Sequence, residues 1–145
     1  AKSGRITARY VVLSLPAVVP AVKSAADKPN PKLGVGLLSW SGDGKYLATR
    51  NDNMPTCLWI WDMSQLELCA VLLQIEPVRG AVWDPHHHRL AVVTGGERVF
   101  IWTPEGASFV QVPLPDFSAM SVGWSPVGGE FMLVDKDTFC CAYIA

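Results

Sequence analysis

Three consecutive histidines are the residues of this sequence whose types best suit metal binding or proton transfer. His86, His87 and His88 follow Asp84 closely, and imidazole and carboxylate groups are common zinc ligands. Adjacent side chains on an extended turn diverge, however, and apart from Asp84 no carboxylate or cysteine lies at ligand spacing. We therefore predict a solvated turn here, with no metal and no other cofactor.

The other reactive side chains do not form a catalytic arrangement. Nucleophilic catalysis needs a serine or cysteine, a base and a group that orients the base, and the only histidines are the three in one turn. Asp135 and Asp137 are paired carboxylates in a predicted loop, where water solvates them. The pairs Gly95–Gly96 and Gly128–Gly129 do not precede a helix, as a phosphate-binding loop would. The sequence predicts that the chain is not an enzyme.

Composition and charge argue against several classes of protein. Half of the 145 residues are hydrophobic, 17% are charged and the formal net charge is −1, which is typical of folded soluble domains. The basic residues are scattered, so we expect no nucleic-acid partner. The most apolar stretch, Tyr10–Val22, is too short to cross a bilayer and contains two prolines, so we expect no membrane partner. Four cysteines without Cys-x-x-Cys spacing predict reduced thiols, packed as small apolar residues in a cytoplasmic protein.

A repeat supplies the elements that must position these residues. The leading tryptophans of its three copies lie 43 and 41 residues apart, and the trailing aromatic residues are each 41 residues apart. A period in the low forties is typical of a four-stranded propeller blade. Gly, Pro and Asp turns separate short apolar runs, and no segment has a sustained helical period, so the chain is predicted to be all-β. The leading residues are Trp40, Trp83 and Trp124, and the trailing residues are Trp61, Trp102 and Tyr143.

Two motifs resemble the WD-repeat family. A Trp-Ser-x-x-Gly turn begins at Trp40 and again at Trp124, and a Leu-Trp-Ile-Trp-Asp run ends at Asp62. The resemblance runs from about Arg9 onward and implies a WD-type β-propeller segment of three four-stranded blades. It also implies that each repeat begins with its outer strand, which makes Tyr10–Leu15 such a strand and gives twelve strands in all.

This pattern divides the chain into six parts. They are a flexible start (1–8), an outer strand (9–15), a Pro-containing connection (16–35), two blade units (36–73 and 78–112) and a third blade unit without its outer strand (118–145). An open arc of three blades would leave two apolar faces and a strand edge in water. Since propellers close with about four to eight blades, we expect either the remaining propeller blades of a longer protein or a second copy that exchanges Tyr10–Leu15.

The family often buries a hydrogen-bond network in each blade. By this resemblance Thr49, Asp52 and Trp61 supply part of one network, and Thr94 with Trp102 supplies part of another. No histidine occupies the expected place before the leading tryptophans, so we expect these blades to depend more on apolar packing.

Loops between inner strands and between blades are predicted to bind partners, because they line one rim of a propeller. The segment that follows the second predicted strand mixes charge, amides and an exposed methionine, which suits specific contacts around an adaptable apolar one. The predicted partner-binding residues are Arg50, Asn51, Asp52, Asn53, Met54, Arg79, Arg98 and Asp116. The alternative is a purely structural segment, in which these Asn and Asp side chains satisfy local backbone groups and other blades bind partners.

Three further runs, at 30–36, 48–55 and 91–96, resemble a group of WD-repeat proteins of centrosomes, centriolar satellites and spindle poles. That resemblance implies a scaffold for microtubule anchoring, spindle organisation and cilium assembly. It implies a coiled-coil anchoring protein as partner and, at some spindle poles, a minus-end-directed kinesin.

Overall fold

Short runs of β-branched, aromatic and leucine residues between Gly, Pro and Asp turns form antiparallel strands. The computed structural model describes residues 9–25 and 27–144, and eleven strands lie within them. The strands are β1 (Val35–Trp40), β2 (Tyr46–Asn51), β3 (Cys57–Asp62), β4 (Glu67–Leu73), β5 (Gly80–Trp83), β6 (Leu90–Val93), β7 (Arg98–Thr103), β8 (Gly106–Gln111), β9 (Ser121–Trp124), β10 (Glu130–Val134) and β11 (Phe139–Tyr143).

The strands form three sheets, one for each copy of the repeat. The first sheet has the order β1-β2-β3-β4 and the second has the order β5-β6-β7-β8. The third sheet contains β9, β10 and β11, without a fourth strand in the described residues. The predicted all-β propeller segment is therefore confirmed.

The sheets pack face to face around the innermost strands β1, β5 and β9, which lie next to one another. Leu58 and Ile60 of the first sheet pack against Leu90 and Val92 of the second in one buried cluster. Residues on the opposite face of the second sheet pack against Phe131 of the third sheet in another cluster. Because side chains alternate across a strand, the two central strands of the second sheet, β6 and β7, contribute to both clusters.

The prediction that Tyr10–Leu15 is a strand is wrong. No strand precedes Val35 in the described residues, and most side chains between 11 and 22 are exposed. A strand needs the edge of another strand to pair with, and Tyr10 instead packs edge-on against Phe100, with ring centroids 5.8 Å apart. The predicted flexible start, 1–8, lies outside the described residues.

The trailing aromatic residues are not all equivalent, which corrects the predicted alignment. Trp61 pairs with Leu47, and Trp102 pairs with Leu90 at the matching place in the second sheet. In the third sheet Phe131 is the counterpart of Leu47 and Leu90, and it pairs with Ala142. Tyr143 lies one residue further along the strand than Ala142. A shift of one residue moves a side chain to the other face of a strand, so Tyr143 faces away from the second sheet and is exposed.

Only part of the predicted hydrogen-bond network forms. Trp61 Nε1 donates to Thr49 Oγ1 at 3.0 Å, as predicted. Asp52 instead accepts a hydrogen bond from Arg50 at 3.2 Å. Thr49 lies two residues after Leu47, the partner of Trp61, and Val92 lies two residues after Leu90, the partner of Trp102. Val92 therefore occupies in the second sheet the position that Thr49 occupies in the first. Thr94 therefore does not occupy the network position.

The four cysteines are free, and only one of them is buried. Cys57 lies in the core, where burial raises the pKa of its thiol to about 11 and keeps it protonated. Cys69 and Cys141 are exposed, so the prediction that all four pack as small apolar residues is wrong for these two. The described part of the chain contains no helix that could cross a membrane.

Candidate partner-binding rim

The antiparallel order of the strands brings all eight predicted partner-binding residues to one rim of the arc. This binding rim consists of the β2–β3, β6–β7 and β10–β11 turns and the two connections between sheets. Backbone hydrogen bonds tie these segments together: Val78 N donates to Pro55 O at 2.8 Å, and Gly95 N donates to Ala119 O at 2.9 Å. The rim is therefore a continuous and firmly held surface.

Arg50 is used mainly to hold the binding rim together. Its Nη1 donates a hydrogen bond to Val78 O, in the connection that leads to the second sheet. Its Nη2 lies 3.2 Å from Asp52 Oδ1, and the side chain is only one-fifth exposed. Its guanidinium group therefore joins two sheets and leaves little surface for a partner.

The connection that precedes β1 covers part of the β2–β3 turn. Val22 N donates to Asn53 O at 2.6 Å, and Asp52 N donates to Gly34 O at 2.8 Å. Met54 is half-buried, so the expectation of an exposed methionine is wrong. The backbone of Asn51, which accepts from Met54 N at 2.9 Å, closes the turn.

The remaining predicted residues differ in how much surface they offer. Arg79 and Asp116 are exposed. Arg98 is half-buried, and its guanidinium carbon lies 5.5 Å from the centre of the Phe109 ring, a cation–π contact within its own sheet. A partner would thus reach Arg79 and Asp116 more easily than Arg98.

Asp116 lines an acidic crevice of about 300 Å³. The backbone of Asp116 has a φ of 55°, a left-handed conformation that Asp tolerates better than most residues. Asp135 Oδ2 accepts a hydrogen bond from Ser118 N at 3.2 Å, which holds one wall of the crevice. The lining residues are Leu114, Pro115, Asp116, Phe117, Asp135, Asp137 and Thr138.

Three exposed apolar residues of the binding rim were missed by the sequence analysis. Ile75 is 95% exposed, and Leu114 and Met120 are partly exposed. Met120 lies beside Gly95, as does the stem of Arg79. All three lie in the connections between sheets, so the rule that selected Arg79 and Asp116 could also have selected them.

The three histidines lie on the opposite rim, the histidine rim, where they join all three sheets. His88 Nε2 lies 2.6 Å from Asp43 Oδ2 of the first sheet. His86 Nε2 lies 2.8 Å from Pro126 O of the third sheet. The turn was predicted correctly: His86 and His87 are exposed, whereas His88 is half-buried. No group of three or more potential ligands is arranged for a metal ion in 9–25 or 27–144.

Asp84 anchors this histidine turn from below. It is fully buried and accepts hydrogen bonds from His86 N at 2.8 Å, His87 N at 3.1 Å and Gly129 N at 3.1 Å. Burial by itself raises the pKa of Asp84, but the bonds from His86, Gly129 and His87 outweigh it and lower the pKa. Because Gly129 belongs to the third sheet, this carboxylate also fixes the position of one sheet against another.

Comparisons with known proteins agree with this architecture. Over 137 residues the chain is 42% identical to the WD repeat-containing protein WRAP73 of mouse. The aligned segment is 94% of this chain and 30% of the mouse protein. The chain thus spans less than a third of the length of that relative. A chain in a crystal structure of the mitotic checkpoint complex aligns with a TM-score of 0.58 over 76% of this chain and 36% of that one. At 20% identity that likeness shows the fold alone.

No family model matches the chain. The resemblance to WD-repeat proteins is nevertheless confirmed, since the motifs, the three-sheet architecture and the similarity to the mouse protein agree.

Proposed function

We propose that this WD-repeat chain is part of a larger propeller that acts as a non-enzymatic scaffold and holds partner proteins on its binding rim. The observation that carries the proposal is the composition of the exposed rim. Charged Arg79 and Asp116 lie in the same two connections as exposed Ile75 and Met120. Apolar residues next to separated charges are typical of protein-binding surfaces, where the apolar contacts supply affinity and the charges set orientation.

The rigidity of the rim supports display as the mechanism. Arg50 and the backbone bonds of Val78 and Gly95 hold the rim segments to one another. A surface that is already ordered loses little conformational entropy when a partner binds, so more of the contact energy appears as affinity.

The cellular setting of the proposal rests on the sequence runs at 30–36, 48–55 and 91–96. From them we infer work at centrosomes, centriolar satellites and spindle poles, in microtubule anchoring, spindle organisation and cilium assembly. The proposed partners are a coiled-coil anchoring protein and, at some spindle poles, a minus-end-directed kinesin. The acidic crevice at Asp116 suits a basic side chain of such a partner, because opposite charges attract across a partly desolvated contact.

Capture of the coiled-coil anchoring protein by the immobilised chain tests the proposal. Arg79→Ala combined with Asp116→Ala should reduce capture at least about five-fold, the equivalent of roughly 1 kcal/mol. The matched control is Glu105→Ala, which changes an exposed charge on the histidine rim. Arg50→Ala is a poor test, because it also removes the bond to Val78 O. Equal capture by the double variant and the control would contradict binding at this rim.

One observation favours the second candidate, a purely structural segment whose partners bind other blades. The side chain of Arg50 and the backbone groups of Asp52 and Asn53 are engaged inside the chain. On that hypothesis the rim substitutions leave capture by the complete propeller unchanged, whereas core substitutions abolish it.

A further inference from the structure

Trp40 lies on the face of the first sheet that points away from the second sheet, and Leu38, Trp40 and Val71 of this face are exposed. Trp40 is 49% exposed, whereas Trp83, at the matching position of the second sheet, is 5% exposed. Leu38 and its counterpart Ala81 differ in the same way. The face is continuous because cross-strand pairs lie on the same side of a sheet. We call it the Trp40 face, and its residues are Leu38, Trp40, Leu47, Thr49, Trp59, Trp61 and Val71.

The two interfaces between sheets share one specific hydrogen bond. Trp83 Nε1 donates to Ser39 O at 2.9 Å, and Trp124 Nε1 donates to Val82 O at 2.7 Å. In both cases the acceptor is the residue just before the leading tryptophan of the preceding sheet. We call this bond the tryptophan latch. Each latch joins two innermost strands, so it fixes the offset of one sheet along the next.

A second feature accompanies each latch. The acceptor residue Ser39 is paired with Ala48, and Val82 is paired with Ala91. Both alanines are fully buried. In both interfaces, therefore, the residue paired with the acceptor has a small side chain, which leaves room for the large tryptophan ring of the following sheet.

We propose that the Trp40 face docks on a further blade of the same protein, outside these 145 residues, and that Trp40 Nε1 donates to a backbone carbonyl of its innermost strand. The inference rests on the proposed larger propeller. It adds the residue that docks, Trp40, and the atom that donates the hydrogen bond, Nε1. It also specifies the acceptor, a backbone carbonyl group of a residue whose partner on the next strand is small.

The chain length of the relative and the shape of the third sheet favour this occupant over a second copy. The matched segment is only 30% of mouse WRAP73, so the relative has ample chain for further blades. A second copy would present the open face of the third sheet, where Gly123 matches Ser39 and is paired with Met132. Methionine would then lie where both observed latches have alanine, and extra volume in a packed interface is destabilising.

The test uses this chain and the part of mouse WRAP73 outside the matched segment, produced as a second polypeptide. Hydrogen exchange of the indole N–H groups is followed by NMR, and affinity is measured by calorimetry. In the free chain Trp83 and Trp124 should exchange slowly and Trp40 quickly. In the complex the Trp40 N–H should also be protected.

Trp40→Phe keeps the apolar ring and removes the donor, so it should weaken the complex about five-fold, as expected for one hydrogen bond. Slow exchange of Trp83 and Trp124 in the variant shows that it is folded. Glu105→Ala is the matched control and should leave this affinity unchanged, since Glu105 is an exposed residue of the β7–β8 turn in the second sheet and lies outside the Trp40 face.

Several outcomes would overturn the inference. They are the absence of a complex, a complex in which Trp40 still exchanges quickly, equal affinity for Trp40→Phe, and a homodimer of this chain with a protected Trp40 N–H. The proposed scaffold is judged separately by capture of the anchoring protein, so failure of the docking and failure of partner binding are distinguishable.

Discussion

His88 Nε2 and Asp43 Oδ2 lie 2.6 Å apart, although 45 residues separate them in the sequence. The contact joins the β5–β6 turn of the second sheet to the β1–β2 turn of the first. The His88 ring also packs edge-on against Tyr46, with centroids 4.9 Å apart, so it contributes apolar contact to the same interface. The histidine turn therefore acts as a clasp between sheets.

The clasp predicts a loss of stability in acid. The pKa of Asp43 is lowered by the His88 hydrogen bond and, after it, by bonds from Lys45 N and the Ser41 hydroxyl. A carboxyl group whose pKa is lower when folded adds stability above its unfolded pKa, about 3.9 for Asp, and loses it as the pH falls through the folded value. Asp43→Asn should thus lower the urea midpoint slightly near neutral pH, and the difference should shrink as the pH falls below the unfolded pKa of about 3.9.

The matched control for this experiment is Asp137→Asn, on the binding rim, which changes the same net charge away from the clasp. Unfolding is followed by tryptophan fluorescence across the pH series. If Asp43→Asn keeps a constant difference down to the lowest pH, its effect is not electrostatic and the clasp is misassigned.

Asp84→Ala should be far more damaging than any change at Asp43. The substitution removes a fully buried carboxylate and leaves the part-buried N–H groups of His86, His87 and Gly129 without their acceptor. Buried donors without partners cost about 1–3 kcal/mol each, and partial relaxation makes a total loss of about 3 kcal/mol reasonable. The free energy of unfolding in urea measures it. A loss no greater than that of Asp43→Ala would show that water or nearby groups replace the carboxylate.

Gly42 is predicted to be intolerant of a side chain for reasons of packing alone. A Cβ there would lie 2.3 Å from Pro85 O, a backbone atom of the neighbouring sheet that cannot move aside cheaply. Gly42→Ala should therefore destabilise the chain by about 1–3 kcal/mol. Gly96→Ala is the control, because a Cβ at Gly96 meets nothing within 4 Å. Equal thermal midpoints for the two variants would contradict this close approach of the turns.

The sequence predicts the sheets well because their signals are local. Trp40, Trp83 and Trp124 each end the first strand of a sheet, at the spacing of the repeat. The prediction failed at Tyr143, where counting residues cannot reveal that the third unit pairs Phe131 with Ala142. Register depends on turn geometry and on which face is buried, and both are settled only in three dimensions.

The sequence predicts that the eight candidate residues share one rim, but it does not predict how accessible each of them is. Antiparallel connectivity alone places Arg79 and Asp116 on one rim. Nothing local shows that Arg50 is bonded to Val78 O or that Val22 reaches Asn53, because these contacts join distant parts of the chain. The same reason explains why the contact of His88 with Asp43 was not foreseen.

Tyr10 is predicted to anchor the segment that precedes the first sheet. Its hydroxyl accepts a hydrogen bond from Gln74 Nε2, a largely buried amide. Tyr10→Phe keeps the packing on Phe100 but leaves that amide without its acceptor, so we expect a loss of about 1 kcal/mol in the free energy of unfolding.

The pH dependence of this loss distinguishes the hydroxyl from general packing. Burial raises the pKa of Tyr10, and the bond from Gln74 offsets only part of that rise. A raised tyrosine pKa adds stability below the unfolded value, about 10, and that stability disappears as the pH rises through the folded value. The gap in urea midpoint between the unchanged chain and Tyr10→Phe should therefore narrow above about pH 10. A gap that stays constant there, or is absent at neutral pH, would show that the Tyr10 hydroxyl does not anchor the segment.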